Sequence, residues 1–299
     1  ELKKIANTTL AESFSPLPAT QLHGSLAVQT GLKAQGQGGV PVSLAGDRNT
    51  IQTIVELVDP KDFETTRTRL LDESRHKSAL YQIYLLGRTT PEIEELTAEI
   101  YRCKEIANKY RNDPEQEVKE YSNGQSDRAT RLTAELERLL KRSLLQGSFT
   151  FRGQLNAVES FASDLLDAAR KHLADVAEQV FDRYSEAAVR ATTDLAEKFL
   201  RVGSLSGITS QLDPLSLVQT QAGKQSISVD HKALVSIRDH IDAHGIVEGK
   251  SLADKFSDAP YGWSSDTLRY LLAAMLVAGE IKLKVSGREV TVNGQQAID

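Results

Sequence analysis

Glycine, lysine and serine in the segment HGIVEGKSLADKF, which begins at His244, are the residue types with which a phosphate-binding loop holds ATP. The motif G-x-x-x-x-G-K-[ST], with its second glycine at Gly249, requires its first glycine at position 244, which is histidine. Gly245 lies one residue too close, and the residues before it follow a helical pattern rather than that of a buried strand. We therefore predict that Gly245 ends one helix and Ser251 begins the next, without a site for ATP.

Two histidines and one cysteine carry further chemistry that could hold a metal or act as a nucleophile. His240 and His244 are one helical turn apart, the spacing at which two imidazoles can share a metal ion, but no third ligand accompanies them. Cys103 is the single cysteine and lies in an apolar helical pattern, which is typical of a buried packing residue. We expect a solvated helix end at the histidines, where positive charge favours the negative pole of the helix.

The acidic residues show no pair typical of general acid–base catalysis. Glu94, Glu95 and Glu99 share a helical segment with Arg102 and are typical of a solvated face. No G-x-S-x-G nucleophile motif occurs. The sequence therefore predicts no catalytic, cofactor-binding or metal-binding residue in this chain, and whether it is part of an enzyme stays open.

The prolines divide the chain into its structural elements. Those at positions 60, 91 and 114 each follow an Asp or Thr, the arrangement of an N-cap residue before a first helical proline. Helices are therefore predicted to start at about 60, 91 and 114. No proline occurs in residues 115–213, which permits long helices.

Residues 89–202 are predicted to form long amphipathic helices. Apolar residues recur there at spacings of three and four in three series, which begin at 93, 129 and 166, and the third series is expected to continue past Tyr184 towards Phe199. The intervening stretches, RNDPEQ and LLQGSFTFRGQ, are short. This pattern predicts a helical bundle or a coiled-coil hairpin.

The two ends of the chain differ from this helical region. Residues 1–88 contain β-rich runs separated by glycine-dense stretches, which predicts a small α/β unit. Residues 203–228 are rich in Gly, Ser and Gln and are predicted to be a linker. Residues 229–299 give three helical patterns and then two alternating strands around Ser286 and Gly287, the order of a winged helix. The predicted fold class is α+β, predominantly α.

Composition favours a protein of the reducing cytoplasm. The formal net charge is -5 and the chain has one cysteine, so no internal disulfide can form. No apolar run approaches the ~20 residues that span a bilayer, so no membrane partner is expected. An acidic chain binds nucleic acid only through a local basic patch.

The winged-helix order makes DNA a candidate partner. Residues 230–299 carry eight Lys/Arg and ten Asp/Glu, which favours a protein-docking domain. Against that balance, the proposed wing and third helix offer a few cations that could meet phosphates. These candidate DNA contacts are Lys282, Lys284, Arg288 and Arg269.

The segment DAPYGWSSDTLRYLLAAMLVAGEIKL resembles the C-terminal region of the large P-loop ATPases of BREX phage-exclusion systems, of the BrxC/PglY type. In that family a P-[YF]-G-W turn leads into an apolar helix and then a short strand. The similarity extends through LVSIRDHI and KVSGREVTVNGQQAID and covers about 70 residues. The turn corresponds to Pro260, Tyr261, Gly262 and Trp263.

The resemblance implies a role in anti-phage defence beside other BREX proteins. Family members carry an ATPase domain that uses ATP and Mg²⁺; because this chain has no Walker A loop, that domain is expected upstream, and no catalytic residue is carried over. The start at Glu1 rather than Met fits an excised portion. Three functions stay open: a non-catalytic BREX assembly portion that binds other BREX proteins or itself, a DNA-binding module, or an unrelated helical adaptor.

Overall fold

The structure is a computed structural model that describes residues 1–36, 39–202 and 204–290. The chain divides into two compact units, the first made of residues 1–21 and 27–178 and the second of residues 22–26 and those from 179 onward. Helices make up 52% of the chain and accompany a sheet, so the prediction of a mixed fold in which helix predominates is confirmed at that level.

The first unit is built on a mixed sheet. The strands follow the order β1-β2-β4-β5-β6-β7, with β3 also paired to β2. Strands β2, β4 and β5 are parallel, whereas β6 and β7 continue the sheet antiparallel. The elements up to residue 180 are α1 (Leu2–Ser13), β1 (Ala19–Leu22), β2 (Leu26–Gln35), β3 (Pro41–Ala45), β4 (Ile51–Val58), α2 (Phe63–Glu73), β5 (Gln82–Arg88), α3 (Pro91–Tyr110), α4 (Gln116–Leu145), β6 (Ser148–Phe151), β7 (Gln154–Ala157) and α5 (Leu165–Val180).

The domain boundary predicted after residue 88 falls inside this unit. Strands β6 and β7 lie beyond it in sequence, yet they extend the same sheet as β5. The stretch that holds them was predicted as a short break between helices. Its turn consists of Arg152 and Gly153 at φ 46° and 76°, and two positive φ values are typical of the tight turn that joins twisted antiparallel strands.

The predicted helix starts are met at two of three places. A 3-10 turn at Pro60–Asp62 leads into α2, and α3 begins at Pro91, where the Thr90 hydroxyl accepts a hydrogen bond from the Ile93 amide at 3.4 Å. Helix α4 begins at Gln116 rather than at 114. The Asp113 carboxylate accepts from the Glu115 amide at 3.0 Å, so this aspartate orders the turn before the helix instead of capping it.

Helices α3 and α4 form an antiparallel pair. The Ser122 hydroxyl donates to the Ala107 carbonyl at 3.0 Å, and Arg128 pairs with Glu99 at 2.8 Å, so residues late in one helix meet residues early in the other. Their base packs with α1 in a core cluster of Ile5, Ile93, Ile100, Leu136 and Leu140. The hairpin was one of the two arrangements predicted, and its coiled-coil character stays a prediction.

The third predicted long helix is interrupted, which corrects the expectation that it continues towards Phe199. Helix α5 ends at Val180, and a 3-10 turn follows at Tyr184–Ala187. Between that turn and the next helix, the Val189 carbonyl accepts a hydrogen bond from the Thr267 hydroxyl at 2.8 Å. Tertiary partners of this kind satisfy the backbone groups that a continuous helix would have used.

The second unit carries the predicted order of three helices and a hairpin. Within residues 204–228, predicted as a linker, strands β8 and β9 pair with each other, and Leu217 and Ile227 are buried. Thr291 to Asp299, which include the end of the predicted last strand, lie outside the described residues. The elements are α6 (Leu195–Arg201), β8 (Val218–Gln221), β9 (Lys224–Ile227), α7 (Lys232–His244), α8 (Gly249–Ser257), α9 (Ser265–Ala278), β10 (Leu283–Val285) and β11 (Arg288–Val290).

Candidate functional site

The ends of α7 and α9 are fixed by local capping residues. Gly245, at φ 73°, follows α7, as predicted, while α8 already begins at Gly249, before the expected Ser251. The Ser264 hydroxyl caps α9 by accepting from the Thr267 amide at 3.1 Å. Gly279 ends α9 in the left-handed conformation, which glycine adopts without a side-chain clash.

The turn before α9 is an aromatic anchor. Trp263, 1% exposed, stacks on Phe256 with ring centres 5.1 Å apart and planes at 6°, and Tyr261 meets its edge at 4.8 Å. Gly262 has φ 66°, a left-handed conformation that residues with a Cβ rarely adopt, and a Cβ there would lie 2.7 Å from the end of the Leu26 side chain. The turn therefore holds α8 and α9 together through packing.

A polar cluster ties this turn to α7. The Arg183 guanidinium donates to the Tyr261 hydroxyl at 2.7 Å, to the Ser236 hydroxyl at 2.6 Å and to the Glu186 carboxylate at 2.8 Å. Burial by itself would lower the pKa of Arg183, but the hydrogen bond and charge of Glu186 outweigh it and raise that pKa. Burial also raises the pKa of Tyr261. Arg183 therefore stays charged and Tyr261 stays neutral, so the hydrogen bonds of the cluster persist and connect the turn to α7.

Helix α9, which occupies the position of a DNA-recognition helix, is covered on most of its surface. Eight of its residues are buried, and only Ser265 and Arg269 are exposed. Helix α6 packs against it, with Phe199 meeting the edge of the Tyr270 ring at 5.6 Å. A helix enters the major groove with an exposed row of polar side chains, and α9 has no such row within the described chain.

A buried hydrogen bond strengthens this cover. The Tyr270 hydroxyl, in a fully buried side chain, donates to the Asp213 carboxylate at 2.5 Å. The same carboxylate accepts from the amides of Leu217 and Val218, each at 2.8 Å, so it also fixes the start of β8. Burial and then the negative charge of Asp213 raise the pKa of Tyr270, which keeps the hydroxyl protonated as a donor.

The four cations predicted to contact DNA are exposed, but two of them are engaged. Arg269 pairs with Asp266 at 3.0 Å, and Lys282 pairs with Glu289 at 3.4 Å. Lys284 and Arg288 lie on the two wing strands, β10 and β11, and no ion pair within 4.0 Å is described for either of them among residues 204–290. The wing thus presents two available cations.

Sequence reasoning missed three features of this site. Ile246, between α7 and α8, is 90% exposed, the highest fraction among the exposed large apolar side chains of the described residues. The cover over α9 was also missed, although Leu195 and Phe199 have the one-turn spacing of a packed helix face. The β8–β9 hairpin was missed as well, because its segment was predicted as a linker. Its turn is formed by Ala222 and Gly223, at φ 50° and 77°.

The two histidines singled out in the sequence are neighbours in space. The ring centres of His240 and His244 are 4.3 Å apart, and a ring nitrogen of His244 lies 2.8 Å from the His240 carbonyl oxygen. Over the described ranges, no group of three or more His, Cys, Asp or Glu residues is placed to hold a metal ion. Cys103 is 1% exposed within α3.

None of the helices in residues 1–36, 39–202 and 204–290 is both long enough and apolar enough to cross a bilayer.

Comparison with known proteins identifies the second unit's C-terminal part. Residues 210–299 match the family model described as the BREX ATP-binding protein BrxC winged helix-turn-helix domain. The match begins before β8, so it includes the hairpin that composition alone had suggested was a linker. No curated protein and no solved structure matches this chain.

Proposed function

We propose that this chain, in which residues 210–299 match the winged-helix domain of BREX BrxC proteins, is a non-catalytic assembly or regulatory portion of a BREX anti-phage ATPase. In this role it binds other BREX proteins, or a second copy of itself, in the cytoplasm. The family match by itself supports an association with BREX, and the protein contacts are the step that we propose beyond it.

The observation that carries the proposal is the cover over α9. With Tyr270 hydrogen-bonded to Asp213 and in edge-to-face contact with Phe199, the helix that would read base edges is buried within its own unit. Residues 230–299 carry eight Lys/Arg and ten Asp/Glu, so this part of the chain is not basic overall. Its exposed side chains include Ile246, which is 90% exposed. Apolar side chains of this kind serve as anchors in protein interfaces.

ATP and Mg²⁺ would be bound by an ATPase module outside this chain. The residues of the loop between α7 and α8 do not fit a phosphate: His244 occupies the position of the required glycine, and a helix rather than a strand precedes the loop. We assign no catalytic step to this chain.

Replacing Ile246 with aspartate is expected to weaken association with the BREX partner about tenfold or more, because a central apolar anchor typically contributes at least that much. Its exposure means that the melting temperature should stay within about 3 °C of the wild type. The measurement is a titration of the fluorescently labelled chain with each purified BREX protein and with unlabelled chain. Val40→Asp, at another exposed apolar residue, is the matched control and should bind normally.

If Ile246→Asp and Val40→Asp bind with equal affinity, Ile246 does not belong to an interface. If neither the BREX proteins nor the chain itself bind the wild type, the assembly role is wrong.

The second candidate function is duplex DNA binding through the wing, favoured by the exposed Lys284 and Arg288. Under this alternative, Lys284→Ala/Arg288→Ala would reduce the slope of log affinity against log salt by about 1.8, at roughly 0.9 per phosphate contact. Our account predicts no such change, because two cations without a recognition helix give little binding. Anisotropy titrations of a labelled duplex at two salt concentrations measure it, with Lys250→Ala/Lys255→Ala on α8 as the control.

A further inference from the structure

Three loops of the first unit meet at one end of its sheet. Strands β4 and β5 are parallel, with Gln52 opposite Gln82, so the loop before β4 and the turn before β5 lie at the same end. Strand β6 is antiparallel to β5, with Thr150 opposite Tyr84, so the turn after β6 lies there as well. Residues 46–50, 74–81 and 152–153 therefore form one continuous surface, called the basic end below.

The basic end concentrates positive charge in a chain whose net charge is -5. Arg48 comes from the first loop, Arg75 and Lys77 from the second, and Arg152 from the third. The first three are exposed, and His76 beside them is exposed too. Only one acidic residue, Asp47, lies within these three segments, although Asp72 at the end of α2 pairs with Arg75 at 3.2 Å.

Hydrogen bonds hold the three loops in place. The Gln52 amide donates to the Tyr81 carbonyl at 2.9 Å, and its side-chain amide donates to the Asn49 carbonyl at 2.6 Å. The Arg152 guanidinium donates to the Leu80 carbonyl at 3.1 Å. These bonds join the first and third loops to the second, so the cations sit on an ordered base rather than on separate flexible loops.

Gly153 brings Arg75 close to Arg152. A Cβ on Gly153 would lie 2.7 Å from the Arg75 Nε, so the absence of a side chain lets the arginine lie across the turn. The Gly153 amide also donates to the Ser74 hydroxyl at 2.8 Å. The Arg75 side chain thereby lies against the turn that carries Arg152, so the two arginines are placed to contact successive phosphates on one strand.

An aromatic side chain lies among these cations. Tyr81 is 37% exposed and Leu80 is 38% exposed, at the point where the turn enters β5. Exposed aromatic rings between basic residues are the elements with which proteins bind single strands, because unpaired bases stack on the ring while the backbone follows the charge. A duplex offers no free base face to Tyr81, which favours a single strand.

We infer that the basic end binds single-stranded nucleic acid, with Arg48, Arg75, Lys77 and Arg152 on the phosphates and Tyr81 stacked on a base. The footprint of three adjacent loops suits a short stretch, on the order of four nucleotides. This site lies in the first unit and is independent of the proposed function of the second, so either can fail without the other.

The test is an anisotropy titration of the full chain with a labelled single-stranded oligonucleotide, at two or more salt concentrations. The wild type should bind, and Arg48→Ala/Lys77→Ala should weaken binding about tenfold and lower the salt slope by about 1.4, at roughly 0.7 per phosphate contact. Tyr81→Ser should weaken binding by about tenfold through lost stacking. The matched control is Lys104→Ala/Lys119→Ala, which removes two exposed charges from α3 and α4.

Loss of binding in the Arg48→Ala/Lys77→Ala and Tyr81→Ser variants, with an unchanged control and unchanged melting temperatures, would support the site. Equal loss in the control would show a general charge effect and overturn it. Absence of wild-type binding would overturn it as well, and so would tighter binding of the duplex than of the single strand with no effect of Tyr81→Ser.

Discussion

Replacing Trp263 with alanine is expected to lower the free energy of unfolding of the second unit by about 3–5 kcal/mol. The side chain is 1% exposed and fills the space between the turn and α8, where it stacks on Phe256. Removing it leaves a cavity that Gly262 and its crowded neighbours cannot close, since the turn is already restricted by its backbone conformation.

Differential scanning calorimetry measures this change without depending on fluorescence, which the substitution removes because Trp263 is the only tryptophan. For a unit of this size we expect a fall in the melting temperature of about 10–20 °C. Trp263→Phe is the matched control. Its loss should be about half as large, because no hydrogen bond of the indole nitrogen is found in the described chain and an aromatic ring still faces Phe256.

A Trp263→Ala variant with the wild-type melting temperature would show that the turn is not an anchor. It would also remove the reason for treating the residues from Pro260 to Trp263 as the structural centre of the winged helix.

The first unit is expected to lose stability as the pH falls from about 6.5 towards 4, because of His172. This side chain is 4% exposed and stacks on Phe149 at 4.4 Å, with Phe161 at its edge at 5.0 Å. Neither ring nitrogen has a hydrogen-bond partner in the part of the chain that the structure describes. Burial therefore lowers the pKa of His172 to about 4.

The sign follows from proton binding. Between pH 6.5 and 4 the unfolded chain carries a proton on His172 that the folded chain does not, so acid favours unfolding. At about 1.4 kcal/mol per unit of pKa difference, the loss attributable to His172 reaches roughly 3 kcal/mol at pH 4. Above pH 6.5 the residue contributes no dependence on pH.

Urea unfolding of the wild type and of His172→Phe, at a series of pH values from 7 to 4, measures this contribution. The variant keeps an aromatic ring against Phe149 but cannot be protonated. The difference in free energy of unfolding between the two proteins should therefore grow in favour of the variant as the pH falls. A difference that stays constant across this range would show that His172 is not buried in its neutral form.

Capping residues and turn residues in the sequence predicted the ends of helices and the turns that these residues themselves form. Thr90 before Pro91 fixes the start of α3, and Ser286 with Gly287 fixes the wing turn, because each acts on its own neighbours. The third long helix was predicted wrongly because its interruption depends on distant partners. The backbone near Val189 is held by Thr267, which lies 78 residues away.

The order of the elements around α9 was predictable from the sequence, but the burial of α9 was not. The order of three helices and a hairpin could be read from apolar spacing, and the family of residues 210–299 from the turn at Trp263. The cover over α9 could not be predicted from the sequence, because it comes from Phe199 and from the residues around Asp213. These residues lie in segments that were assigned to a different helix and to a linker. Charge counts favoured protein docking over DNA contact, and the burial of α9 supports that proposal.

The most direct test of the account is the mass of the purified chain in solution, measured by light scattering alone and in mixtures with each BREX protein. The account predicts a complex larger than one chain, with another BREX protein or with itself, that persists as salt is raised because apolar contacts hold it. A single-chain mass in every mixture, together with duplex DNA binding that Lys284→Ala/Arg288→Ala abolishes, would contradict it.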